Sequence, residues 1–140
     1  MARVLVDTGA IVALINRSDR HHAAMAAWFA TMRGELLTTE AVITETAYVL
    51  AASPVHQRAA LMWVQRARSA GVLSVEAVAD HGTLSAIIGR YASLPCDYAD
   101  ATLIELAERT GVAAIATVDR RDFSVYRIKG RKRFRVLPEA

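Results

Sequence analysis

Five short apolar runs, over residues 3–6, 36–38, 71–75, 112–118 and 134–137, are separated by longer stretches in which apolar positions recur every three or four residues. The runs are continuous rather than alternating, as in strands buried on both faces. The spaced stretches predict helices over 9–15, 23–32, 40–50, 55–70, 80 to about 92, and 98–110. Punctuation agrees with this periodicity: Pro54 suits a first helical turn, Gly71 and Gly111 follow helix ends, and Asp80 and Asp97 stand where N-caps belong. Strands alternating with one or two helices predict an α/β fold, a three-layer α/β/α sandwich around a central parallel sheet. No repeat, low-complexity segment or Gly/Ser-rich linker interrupts the pattern, so residues 1–140 are expected to form a single domain.

An apolar content of 54% excludes a disordered chain, and the apolar runs fall short of the roughly 18 residues a membrane helix needs. Met1-Ala2-Arg3 passes directly into Val4-Leu5-Val6 without the regions of a signal peptide, so a cytoplasmic protein with no membrane partner is expected. The single cysteine, Cys96, forms no internal disulfide and reads as a small buried side chain.

The net charge of +3 conceals a division. Residues 120–140 carry eight basic side chains against Asp122 and Glu139, a balance of +6, which leaves −3 on the first 119 residues. A basic tail on an acidic body suggests a polyanion binder whose carboxylates serve another purpose, because carboxylates alone repel phosphate.

Four acids occupy informative positions. Asp7 and Asp119 directly follow predicted strands, at the edge where open parallel sheets bind ligands, although either could simply cap a helix. Glu45 lies three residues after Val42 and four and five before Val49 and Leu50, beside the core-facing stripe of its helix. Asp100 has Leu103, Ile104 and Ala107 at i+3, i+4 and i+7. Carboxylates gathered with partial desolvation repel one another unless a cation neutralises them or some take up protons. An all-oxygen set suits Mg²⁺ or Mn²⁺, whereas zinc prefers His and Cys in spacings absent here. His21, His22, His56 and His81 are assigned no catalytic part.

At these residues the chain resembles PIN-domain ribonucleases, specifically the VapC-type toxin of VapBC toxin–antitoxin pairs. The resemblance rests on Val4-Leu5-Val6-Asp7-Thr8-Gly9-Ala10, on Thr39 through Glu45, on Asp97-Tyr98-Ala99-Asp100-Ala101, and on Ala116-Thr117-Val118-Asp119-Arg120-Arg121-Asp122-Phe123, whose order and spacing cover nearly the whole chain. It implies strand order 3-2-1-4-5 over the five predicted strands. It further implies that Asp7, Glu45, Asp100 and Asp119 are the catalytic carboxylates, holding one or two Mg²⁺ or Mn²⁺ ions for hydrolysis of RNA phosphodiesters. Asp7 and Asp100 are the leading ligands, Glu45 a ligand or the group that orients water, and Asp119 completes the set. Thr8, Thr117, Asp97 and Asp122 are candidates to support the ligands from behind.

The implied partners are an RNA substrate, a cognate antitoxin and a second copy in a homodimer. Arg120, Arg121, Arg127, Lys129, Arg131, Lys132 and Arg133 are the candidate RNA contacts, with Arg17 and Arg20 as a further rim. Two phosphate-transfer folds with a similar acidic edge fit poorly. Gly9 stands where haloacid-type phosphatases carry an acid, and a response-regulator receiver wants an acidic pair after the first strand and a lysine after a late one. The alternative of a different class is a catalytically silent PIN-like module that binds RNA or protein.

Overall fold

The computed structural model describes residues 2–139. Strand β1 (Ala2–Val6) leads through α1 (Thr8–Ile15) and α2 (His22–Thr31) to β2 (Gly34–Thr39), and α3 (Glu40–Val49) and α4 (Pro54–Ser69) lead on to β3 (Leu73–Glu76). Helices α5 (His81–Arg90) and α6 (Tyr98–Thr110) then reach β4 (Ala114–Ala116). A short helix α7 (Arg120–Val125) and a hairpin of β5 (Arg127–Ile128) and β6 (Lys132–Arg133) precede β7 (Arg135–Leu137).

The main sheet has the order β3-β2-β1-β4-β7 with every neighbouring pair parallel. With β7 as the fifth predicted strand, this is the expected 3-2-1-4-5 arrangement, and the α/β sandwich follows from it. Connections from β1 run outward one way through β2 to β3, and from β4 the other way to β7. Right-handed crossovers therefore put α1 to α4 on one face and α5 to α7 on the other. The direction reverses between β1 and β4, which opens a crevice at their C-terminal ends.

Three local expectations change. Helix α7 and the β5–β6 hairpin were not predicted, because Arg120-Arg121-Asp122-Phe123-Ser124-Val125 is too short and too charged to display helical periodicity. The predicted strand 112–118 pairs regularly only over Ala114–Ala116, since Thr117 and Val118 turn out of the ladder toward the crevice.

The core is built from Leu5, Val6, Ile11, Leu37, Leu103, Ile104, Leu106 and Ile115, all essentially inaccessible. Helix α6 is its axis, with every residue from Ala99 to Ala107 buried. Its C-terminus is capped by Gly111 at φ 76°, a left-handed position that favours glycine. One acid in that run, Glu105, is satisfied: it accepts from the Ala79 N–H at 2.9 Å and pairs with Arg109 at 2.7 Å. Asp100, one helical turn earlier, has no such partner. Among the described residues no helix is long and apolar enough to cross a membrane.

Candidate active site

The crevice holds a cavity of about 330 Å³ whose wall includes Asp7, Asp19, Glu45, Asp97, Asp100, Asp119 and Asp122 and no basic side chain. All four predicted carboxylates therefore meet in one place, and Asp97 and Asp122 join them.

Asp7 leaves the end of β1 and caps α1. Its Oδ1 accepts from the Thr8 N–H and its Oδ2 from the Thr117 hydroxyl, both at 2.7 Å. Thr117 Oγ1 in turn accepts from the Asp119 N–H at 2.9 Å, so one hydroxyl fixes the acids that end β1 and β4 relative to each other. Gly9 allows this closeness, because a Cβ there would collide with the Val118 side chain. Asp119 caps α7 by accepting from the Asp122 N–H at 3.1 Å, and Asp97 caps α6 by accepting from the Asp100 N–H at 2.8 Å. The capping expectation for Asp97 holds. For Asp7 and Asp119 capping and placement in the cavity are not alternatives, since one carboxylate does both.

Asp100 is buried and its Oδ2 accepts from the hydroxyl of Tyr126 at 2.9 Å. Carboxylate oxygens of Asp100, Asp119 and Asp122 lie within 4.8 Å of one another. Glu45 is half-buried on α3 and reaches the same cavity, whereas its neighbour Val49, expected in the core, is exposed at the cavity wall.

The electrostatics follow from this crowding. Burial pushes the Asp7 carboxyl up to about 6, the Thr117 and Thr8 donors opposing it, and the nearby Glu45 and Asp119 charges adding to the rise. Asp100 is pushed up to about 8 by burial, then by the charges of Asp7 and Asp97. Glu45 is raised by burial and by Asp97, and Asp122 by burial and by its contact with Asp119. Burial and the adjacent Asp100 carboxylate hold the Tyr126 phenol far above its usual range, so it remains a donor. Among the described residues the ion pairs are Arg90–Glu108, Arg109–Glu105 and Arg135–Glu139, and none reaches the cavity.

This donor set fits a hard divalent cation: several ionisable oxygens, partial burial, and no protein counter-charge. A second observation agrees. Thr8 Oγ1, buried beside Asp7 and outside hydrogen-bonding geometry with any group among the described residues, is turned toward Glu45 and opposes the rise in its pKa, so a hydroxyl faces the site together with the carboxylates.

The basic tail does not form one face. Arg121 is exposed and close enough to Asp122 to counter the rise in its pKa, while Arg120 turns its guanidinium to the Pro138 carbonyl at 2.5 Å. Arg127 donates to the carbonyls of Ser124, Val125 and Tyr126 and so closes the end of α7. Lys129, Arg131 and Lys132 line a separate shallow cavity, and Arg133 is exposed on β6. Lys132 also lines a cavity of about 610 Å³ with Arg3, Arg33 and Arg135, at the N-terminal ends of the strands, opposite the acids.

Among the other residues singled out in the sequence, Cys96 is buried as expected. None of the four histidines lines the acidic cavity. Away from the cavity, Trp28, Phe29 and Trp63 are half-buried and pack edge to face, and Tyr48 is 81% exposed.

The family model of the PIN domain matches residues 4–129. The chain belongs to the PIN domain family. Among individual proteins it is similar to ribonuclease VapC26 of Mycobacterium tuberculosis, with 27% identity over 135 residues that span 96% of this chain and 100% of that protein. Its fold is similar to the crystal structure of Mycobacterium tuberculosis VapC20, described as a sarcin–ricin loop cleaving toxin. The TM-score is 0.70 at 24% identity, over 80% of this chain and 86% of that one.

Sequence reasoning named Asp122 only as a supporting candidate and missed two members of the site, Asp19 and Tyr126. Asp122 carried a usable signal: Asp119-x-x-Asp122 repeats the spacing of Asp97-x-x-Asp100, a cap followed by an acid in the first helical turn. Asp19, in the loop after α1, and Tyr126, beyond α7, carried none, because only the tertiary fold brings them to the acids.

Proposed function

We propose that this PIN domain is a Mg²⁺- or Mn²⁺-dependent endoribonuclease, the toxin of a type II toxin–antitoxin pair, acting as a single domain in the cytoplasm. One observation carries the reading: carboxylates from β1, α3, α6 and the β4–α7 turn converge in a cavity without a basic side chain. That arrangement is tenable near neutral pH only with a bound cation or with a proton on Asp100, whose carboxyl is pushed up to about 8.

Asp7, Glu45, Asp100 and Asp119 are the catalytic carboxylates in this reading, with Asp122 joining Asp100 and Asp119 in holding the ion. A divalent ion there supplies a more acidic bound water and charge stabilisation of the phosphate transition state. The protein's own part is positional. Thr117 and the Thr8 amide fix the Asp7 carboxylate, and Glu45, half-buried and raised in pKa, is suited to accept a proton from the attacking water. Attack by water on the phosphorus with departure of the 3′-oxygen, which takes up a proton, leaves a 5′-phosphate and a 3′-hydroxyl. The basic residues after Asp119 supply RNA affinity, with Arg121 nearest the carboxylates. The partners are RNA, an antitoxin that masks the cavity, and a second copy in a homodimer. Ribonuclease VapC26 and the VapC20 toxin support this assignment by name and by fold respectively.

End-mapped cleavage of total cellular RNA by the wild type and by Asp100→Asn, with Mg²⁺ and with EDTA, tests the reaction. Discrete cuts that require Mg²⁺ and vanish in the variant are expected. Cleavage that survives EDTA overturns the metal mechanism, and binding without cleavage in Mg²⁺ favours the silent module.

A further inference from the structure

We propose that Tyr126 is a positioning residue that sets the orientation of the Asp100 carboxylate and locks the α7 acids against α6, so that Asp100, Asp119 and Asp122 form one ion-binding set. The proposal rests on the metal-dependent reading above and goes beyond it by assigning a residue outside the acidic set.

The acids that approach within 4.8 Å come from two carriers. Asp100 lies in the first turn of α6, while Asp119 caps α7 and Asp122 lies in its first turn. Helix α7 has six residues, far too few to hold its own geometry, so its position depends on tertiary contacts. Tyr126 immediately follows it and is fully buried. Its ring lies edge-on to Tyr91 at 4.9 Å and to Phe123 at 5.0 Å, and Phe123 in turn meets Phe134 at 5.4 Å. That aromatic cluster fixes the ring, and the fixed ring aims the hydroxyl at Asp100 Oδ2, 2.9 Å away.

No other donor reaches the Asp100 side chain among the described residues. The terminal torsion of an aspartate has a broad, roughly two-fold preference, so packing alone does not decide which oxygen faces the cavity. The phenol does: it engages Oδ2 and leaves Oδ1 free of a protein donor. Groups that orient metal ligands in this way are typically worth about 10–100-fold in metal affinity.

The test compares Mn²⁺ binding to RNA-free wild type, Tyr126→Phe and Tyr91→Phe by calorimetry, with metal-free melting temperatures measured alongside. Tyr126→Phe keeps the ring and removes the donor, and a dissociation constant raised about 10-fold or more is expected. Tyr91 belongs to the same aromatic cluster, and its hydroxyl accepts from the Arg127 N–H at 2.6 Å without touching the acids. Tyr91→Phe is therefore expected to lower the melting temperature and leave Mn²⁺ affinity unchanged.

If Tyr126→Phe does not fold, the unaltered protein still decides. The ¹³Cζ resonance of Tyr126 is expected to move with added Mg²⁺ along the metal-binding isotherm, while that of Tyr91 stays. Equal Mn²⁺ affinity in wild type and Tyr126→Phe, or a Tyr126 resonance indifferent to Mg²⁺, overturns the inference alone. A wild type that takes up no Mn²⁺ overturns the metal-dependent reading and the inference with it.

Discussion

Two buried acids on helix α6, Asp100 and Glu105, differ in a way that defines the site. Glu105 is neutralised by Arg109, as a buried structural acid should be, whereas Asp100 receives only a phenol and faces other carboxylates. The metal-free protein must therefore tolerate protons on Asp100 and Asp7. Because their folded pKa values, about 8 and about 6, exceed the ordinary 3.8, the stability they contribute is full below about pH 4. It is lost as pH rises through about 6 and then about 8. In EDTA the melting temperature is expected to fall from pH 5 to pH 8, and Mg²⁺ to flatten that slope. Asp100→Asn removes the buried charge. At pH 8 in EDTA it is expected to be more stable than wild type by about 2 kcal/mol, roughly 5 °C or more in melting temperature, while no longer responding to Mg²⁺. A variant that melts below wild type in EDTA would contradict this electrostatic account.

At the scale of elements, the site depends on how closely the start of α1 approaches the turn after β4. Gly9 sits at that contact, and an added methyl group would displace Val118 and with it Asp119, the next residue. Gly9→Ala is expected to lower RNA cleavage at least about 10-fold through misplacement of one carboxylate. Gly111 provides the contrast, since a Cβ there meets nothing and only the left-handed φ of 76° is strained. Gly111→Ala is expected to cost about 1 kcal/mol in chemical denaturation with cleavage unchanged. Equal activity losses in the two variants would show that general destabilisation, not displacement of the Asp119 turn, governs the effect.

Across the whole molecule, charge is arranged by position rather than by total. The acids gather at the C-terminal edge of the sheet, and the basic tail divides: Arg121 stays beside the acids, while Lys132 and Arg135 reach the opposite edge. If RNA is held where the acids are, Arg121→Glu should weaken RNA binding and reduce the slope of log affinity against log salt by about 1. Lys132→Glu should change neither by a comparable amount. Filter binding across a salt series measures both, and a larger loss in Lys132→Glu would move the RNA path to the far edge.

The pattern of apolar runs and helical spacing by itself determined the alternation of strands and helices, and hence the parallel α/β sandwich, because burial on both faces leaves a continuous apolar signature in each strand. It also marked Asp7, Glu45, Asp100 and Asp119, since a carboxylate at a strand's end or beside an apolar stripe breaks the pattern that hydrophobic burial would otherwise impose. Helix α7, the β5–β6 hairpin, and the parts of Asp19 and Tyr126 were decided only by the tertiary structure. Six residues cannot announce a helix by periodicity, and a phenol's hydrogen bond to an acid 26 positions away leaves no local trace. The same holds for the divided basic tail: the sequence fixes its charge, but the chain's path through α7, the hairpin and β7 decides which cations meet the acids.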